Sequence, residues 1–125
     1  MLARLTRRAE FLRVAGSRRK VVTQGAVVQA AARDPADTGS ARVGFTATRT
    51  VGSAVVRNRA RRRLKEAVRA AASSAGPGID YVVIARAGTL KRPFDALIGD
   101  VGTAFATLAR GGDRRARPHG AEPRR

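Results

Sequence analysis

The 125-residue chain carries 26 Lys+Arg against 9 Asp+Glu, a formal charge of +17, with no cysteine and a single histidine. That composition excludes a disulfide framework and a thiolate metal site, and His119, in a Pro/Gly/Arg-rich tail, is too little for a His-based metal cluster or a Ser-His-Asp triad. Self-repulsion at this charge disfavours the compact state and calls for a polyanionic partner, nucleic acid first and an anionic membrane surface second.

All but three of the basic residues are Arg, whose planar fork pairs bidentately with phosphate and stacks on bases. A high-GC genome explains Arg over Lys equally well, but not the imbalance of sign. Residues 1–110 suit one domain. The opening MLARLTRRAEFLR has no apolar core of a signal peptide, and runs such as VVIA at 82–85 are too short to cross a membrane, so a cytoplasmic location is expected.

Residues 6–15 read as a short helix, with Thr6 as cap, Gly16 as stop, Ala9, Leu12 and Val14 toward a core, and Phe11 at the edge of that stripe. Residues 18–33 are apolar and β-branched around a TQG turn at 23–25, which predicts a short strand and a longer one. DPADTGS at 34–40 is a loop by composition. In ARVGFTAT, 41–48, Val43, Phe45 and Ala47 alternate with Arg42, Gly44, Thr46 and Thr48, the pattern of a half-buried strand. Ser53 is a good N-cap for a long helix running to about residue 73, before SSAGPG stops it. DYVVIAR at 80–86 suits a buried central strand. After the AGTLKR loop, Pro93 suits a helix first turn, and Phe94, Leu97, Ile98, Val101, Ala104, Phe105 and Leu108 keep helical spacing to Arg110. Gly99 and Gly102 each weaken that helix by roughly 1 kcal/mol, so packing must hold it. GGDRRARPHGAEPRR, 111–125, has the composition of a disordered basic tail.

The long helix carries the charge. At about 100° per residue, Val56, Ala60, Leu64, Ala67, Val68 and Ala71 form one apolar stripe. Asn58, Arg62, Lys65 and Arg69 cluster opposite, with Arg59 and Arg61 flanking them. Arg57 and Arg63 sit at the stripe's edges, where long stems can cover apolar surface. Arg62–Lys65, Lys65–Arg69 and Arg59–Arg63 are like-charge neighbours, each costing a few tenths of a kcal/mol in a lone helix, and Glu66 relieves only part of this. A merely solvated face mixes signs. This one concentrates a single sign over roughly 15–20 Å of helix, the length of a run of phosphates. A lipid-surface helix fits less well, because the stripe lacks Trp and Phe. The acids are scattered, only Asp34 and Asp37 lying close together in a loop, whereas a two-metal nuclease site needs several converging carboxylates. No catalytic residue and no bound metal are therefore expected in the protein itself.

RVGFTATRTVGSAVVRNRARRRLKEAVR, 42–69, closely resembles the signature of the bacterial ribonuclease P protein components, with its Arg57-Asn58-Arg59 triplet. DYVVIAR at 80–86 resembles that family's next strand and LTRRAEFLRV at 5–14 its first helix, so the resemblance covers about residues 5–110. It implies an α-β-β-β-α-β-α sandwich in the α/β (α+β) class. The small sheet would be mostly antiparallel, with one parallel pair joined by the long helix in a left-handed crossover. It also implies a function: binding the catalytic RNA of ribonuclease P and the 5′ leader of precursor tRNA, with hydrolysis by the RNA and its Mg²⁺. No protein partner is evident. By position, Arg57, Asn58, Arg59, Arg61, Arg62, Lys65 and Arg69 are expected to meet the catalytic RNA, Arg57 and Arg59 having a structural role as the alternative. Phe11, Arg42, Thr46, Thr48, Arg49, Tyr81 and Arg86 are expected to line a leader cleft, Phe11 either stacking on a base or packing in the core. Arg18, Arg19 and Lys20 add charge near its mouth or belong to a solvated loop. Ala15 and the Ala/Val/Gln residues of 26–31 stand where relatives carry cleft aromatics, and Thr50 where they are often basic, which shifts the cleft toward Arg and backbone contacts. The other reading of the charge is a general RNA-binding or ribosome-associated protein with no part in cleavage.

Overall fold

In the computed structural model residues 2–111 are described; the tail expected over 111–125 lies, apart from Gly111, outside them. The elements are β1 (Ala3–Arg4), α1 (Arg8–Gly16), β2 (Arg19–Val22), β3 (Ala26–Ala32), β4 (Arg42–Thr46), α2 (Ala54–Ala71), β5 (Ile79–Ala85) and α3 (Phe94–Ala109), with single 3-10 turns at 49–51 and 72–74. The strands form one sheet in the order β1-β4-β5-β3-β2. β2 pairs antiparallel with β3, and β3 with β5. β4 and β5 are parallel and joined through α2, as a parallel pair requires. β1 adds a second parallel pairing at the β4 edge, too short to leave a period in the sequence.

Period-two alternation sorts the strands into two faces. One face carries the rows Val43–Tyr81–Ala30 and Phe45–Val83–Val28–Val21. Against it pack Ala60, Leu64, Ala67, Val68 and Ala71 of α2 and Leu97, Val101, Ala104, Phe105 and Leu108 of α3, all buried. The stripe predicted for α2 is the stripe it buries, with Val56 half-buried at the helix entry. Ser53 caps that helix, its side chain accepting from the Val56 amide at 3.3 Å. Phe94 does not join the core of α3: at 37% exposure it lies outside, beneath the Arg63 guanidinium.

The opposite face carries Arg42–Asp80–Ala31, Gly44–Val82–Gln29–Lys20 and Thr46–Ile84–Val27–Val22. α1 packs there through Phe11 and Val14, with Leu5 beside them. The expected stripe of Ala9 and Leu12 is corrected, since Leu12 is 57% exposed: Phe11 and Val14, three residues apart, form the inward edge. The predicted cap is corrected as well. The helix starts at Arg8, and the Glu10 carboxylate reaches back to accept from the Arg7 and Thr6 amides at 3.1 and 3.3 Å. Phe11 can lie on the sheet because β4 has glycine beneath it; a Cβ on Gly44 would sit 2.5 Å from Phe11 Cζ. α1 covers only the first two rows, which leaves Thr46, Ile84, Val27 and Val22 as a half-exposed floor beside it.

Candidate nucleic-acid interface

The long helix presents its cations outward on a rigid mount. Arg59, Arg62 and Arg69 are exposed, and Lys65 is half-buried. Among the described residues, the only carboxylate pairing this group is Glu66 with Arg69, at 3.6 Å with both side chains largely exposed, a weak arrangement. Asn58 accepts a hydrogen bond from Arg61, which fixes the amide and leaves its NH₂ available. Arg57 is turned back: its Nη1 donates to the Gly52 carbonyl at 3.1 Å, tying the first turn of α2 to the preceding loop. Arg63 is an anchor that the sequence pattern does not reveal. It donates to the Thr89 carbonyl at 3.1 Å and to the Arg92 carbonyl, and its guanidinium stands 5.3 Å from the Phe94 ring centroid. α2 is thereby clamped to the β5–α3 loop, which fixes the helix that carries the exposed cations.

The other predicted residues gather about the open face of the sheet, with one exception. Phe11 and Thr46 are half-exposed on that face. Thr48 and Arg49 are exposed just past β4, the Thr48 hydroxyl sharing a 2.7 Å hydrogen bond with Thr50. Arg86 is exposed at the end of β5 and donates to the Thr23 carbonyl. The exception is Tyr81. At 0% exposure it faces α2 and α3, its ring 4.6 Å from that of Phe105, and its hydroxyl accepts from the Gly76 amide at 2.9 Å. Burial pushes its phenol pKa up. Placing Tyr81 in the cleft is therefore corrected: the apolar run DYVVIAR carries no alternation from which parity can be read.

Arg42 is on the expected face but not free. Its Nε and Nη2 bind the two carboxylate oxygens of Asp80 at 2.8 and 2.7 Å, and its Nη1 binds Glu10 at 3.2 Å. Its guanidinium thus serves the ion cluster, while the side chain stays one-third exposed on the open face. Asp80 is fully buried and also accepts from Arg33 Nη1 at 2.7 Å and Arg13 Nη2 at 2.5 Å. Burial pushes the Asp80 carboxyl up, but the hydrogen bonds from Arg42, Arg33 and Arg13 prevail and hold it at about 2. One aspartate thus joins α1, β4, β5 and the residue that follows β3 at the closed end of the open face. Only the Asp34/Asp37 spacing marks acids in the sequence; Asp80, the structural one, gives no sign there.

Glu10, Asp37, Asp80 and Asp100 are each held by arginine. Among the described residues no three His, Cys, Asp or Glu side chains gather into a metal-binding group. What the surface offers is a row of exposed cations on one side and, across the sheet, a shallow trough with an apolar floor.

A family model described as Ribonuclease P matches residues 2–109. The chain is 54% identical over 99 residues to the ribonuclease P protein component of Gluconacetobacter diazotrophicus, covering 78% of this chain and 84% of that one. It is 50% identical over 103 residues to that of Paramagnetospirillum magneticum, covering 80% and 77%. Its fold matches the RNase P protein of Thermotoga maritima with a TM-score of 0.69 at 22% identity, over 82% of this chain and 94% of that one. For the Staphylococcus aureus RNase P protein the TM-score is 0.65 at 22% identity, over 83% and 93%.

Proposed function

This chain belongs to the ribonuclease P protein family, and from that premise we propose how it works as the protein subunit of this ribonucleoprotein endoribonuclease of tRNA maturation. The observation that carries the reading is the one-signed face of α2, held by Ser53, Arg57 and Arg63 and left almost without carboxylate partners.

Arg59, Arg62, Lys65 and Arg69 neutralise phosphates of the catalytic RNA, releasing condensed counterions, while Asn58 supplies a directional hydrogen bond. Arg61 holds Asn58 and adds field. The trough floored by Thr46, Ile84, Val27 and Val22 takes the single-stranded leader of precursor tRNA, with Phe11 as the stacking edge and Lys20, Arg49 and Arg86 as phosphate contacts. Base stacking on such an aromatic is worth about 1–3 kcal/mol and tolerates any base. Hydrolysis belongs to the RNA and its Mg²⁺. The protein residues bind, orient and lower the electrostatic cost of bringing two polyanions together. Because the acids best placed to hold a metal are already bound to arginine, the protein holds no Mg²⁺ of its own in this proposal.

The alternative of a general RNA-binding protein is disfavoured by the family match over nearly the whole described chain. In this proposal the protein works with its RNA in the cytoplasm; among the described residues no helix is long and apolar enough to cross a membrane. The test is precursor-tRNA cleavage at limiting Mg²⁺ by the cognate catalytic RNA. Added protein is expected to raise the rate and lower the Mg²⁺ requirement, while protein alone cleaves nothing. Cleavage by RNA-free protein would overturn the assignment of chemistry to the RNA.

A further inference from the structure

Between β1, β4 and the C-terminal half of α2 lies a groove of about 430 Å³, within the size range of small-ligand sites. It is on the α2 side of the sheet, away from the leader trough. Its walls are apolar, from Leu2, Val43, Phe45, Val68 and Ala72, and its rim is cationic, from Arg4, Lys65 and Arg69. The Arg4 guanidinium carbon is 5.6 Å and Lys65 Nζ 6.0 Å from the centroid of the half-exposed Phe45 ring. Among the described residues no carboxylate pairs with Arg4 or Lys65, and Arg69 has only its exposed contact with Glu66.

An apolar slot with an aromatic wall and an uncompensated cationic rim fits a flat body carrying negative charge. Lys65 and Arg69 belong both to this rim and to the basic face of α2, so a strand lying along α2 passes over the groove's mouth. We propose that the groove receives one unpaired nucleotide of the catalytic RNA, its base against Phe45 and the Val43–Val68 wall and its phosphate between Lys65 and Arg69. The proposal rests on α2 being the catalytic-RNA interface and adds a base contact to it. With no side-chain acceptor lining the walls, the slot reads stacking rather than sequence.

The test uses the holoenzyme reconstituted with its catalytic RNA. Ala72→Trp fills the slot. Because the chain has no cysteine, Ala72→Cys also gives a single attachment point for an azidophenacyl photo-crosslinker. In the wild-type complex one unpaired base is expected to be protected from base-modifying reagents. Ala72→Trp should restore its reactivity and weaken RNA binding about tenfold, and the Ala72→Cys crosslink should map to that same nucleotide. Unchanged protection and affinity in Ala72→Trp overturn the proposal, as does weakened binding with the base still protected. If Ala72→Trp lowers the melting temperature, the crosslink decides: one unpaired nucleotide supports the proposal, and duplex or no RNA overturns it. Arg62→Ala separates the two levels. If it leaves affinity intact, the α2 interface itself fails; if it weakens binding while Ala72→Trp does not, only the groove fails.

Discussion

Asp80→Asn isolates the ion cluster that closes one end of the trough proposed for the leader. In the folded chain the Asp80 carboxyl lies at about 2, against an ordinary value of 3.8. At about 1.36 kcal/mol per pH unit, that interval means the fold favours the carboxylate over an uncharged group by roughly 2.5 kcal/mol. The folded value is the lower one, so this stabilisation is complete above pH 4 and is lost as the pH falls through about 2. Roughly half should remain at pH 3. Asparagine mimics the neutral acid and leaves Arg13, Arg33 and Arg42 facing one another without their shared counter-ion. The expected cost at pH 7 is therefore about 2.5 kcal/mol, rising toward the 3–5 kcal/mol typical of a buried charge pair broken on one side. For a domain of this size the melting temperature should fall by about 10–20 °C. Urea unfolding of wild type and variant, followed by circular dichroism at constant ionic strength from pH 7 to pH 3, measures the gap directly. It should narrow by roughly 1.2 kcal/mol across that range. A gap independent of pH, or a variant as stable as wild type at pH 7, would refute the argument that the carboxylate's charge organises this end of the sheet.

Gly44→Ala places a Cβ 2.5 Å from Phe11 Cζ and 3.1 Å from Leu5 Cβ, and overpacking of this kind costs about 1–3 kcal/mol. Thermal melting should show that loss, and leader affinity should fall with it as the Phe11 ring is displaced; an unchanged melt would mean the ring is free to move. Arg63→Met keeps an apolar stem but removes the bonds to the Thr89 and Arg92 carbonyls, an expected destabilisation of about 1–3 kcal/mol. Its catalytic-RNA affinity, measured under conditions where it stays folded, should fall less than that of Arg62→Ala, because Arg63 faces the protein and Arg62 the solvent.

Much of this arrangement is legible in the chain, and the gaps have physical causes. α2 shows itself through a four-residue apolar beat opposite a one-signed face, and Ser53 marks its start because a hydroxyl there satisfies an orphan amide. β4 shows itself through alternation. β5 is apolar on both faces, so its existence is plain while its parity is not, and the cleft position expected for Tyr81 falls on the wrong side. α1 is too short for its stripe to outweigh local tertiary fit, and the Phe11–Gly44 contact, between residues 33 positions apart, decides its orientation. Among arginines, helical spacing already sets Arg57 and Arg63 at the edges of the apolar stripe, apart from Arg62, but it does not name the carbonyls they bind. Arg42 looks like any outward-facing strand cation until the aspartate it meets is in place. The groove at Phe45 has no sequence sign at all, because Val43 and Val68 read simply as core by strand and helical patterning and Leu2 precedes the first patterned element.

The central claim is that the exposed cations of α2 lie on phosphates of the catalytic RNA, and the salt dependence of binding tests it most directly. Filter binding between about 50 and 200 mM salt gives the slope of log K against log salt. For the Arg62→Ala/Lys65→Ala double variant the slope should be shallower than wild type by about two, one unit for each phosphate that the variant no longer neutralises. Weaker binding with an undiminished slope, or binding equal to wild type, would show that these residues face solvent in the complex and that the RNA is held elsewhere.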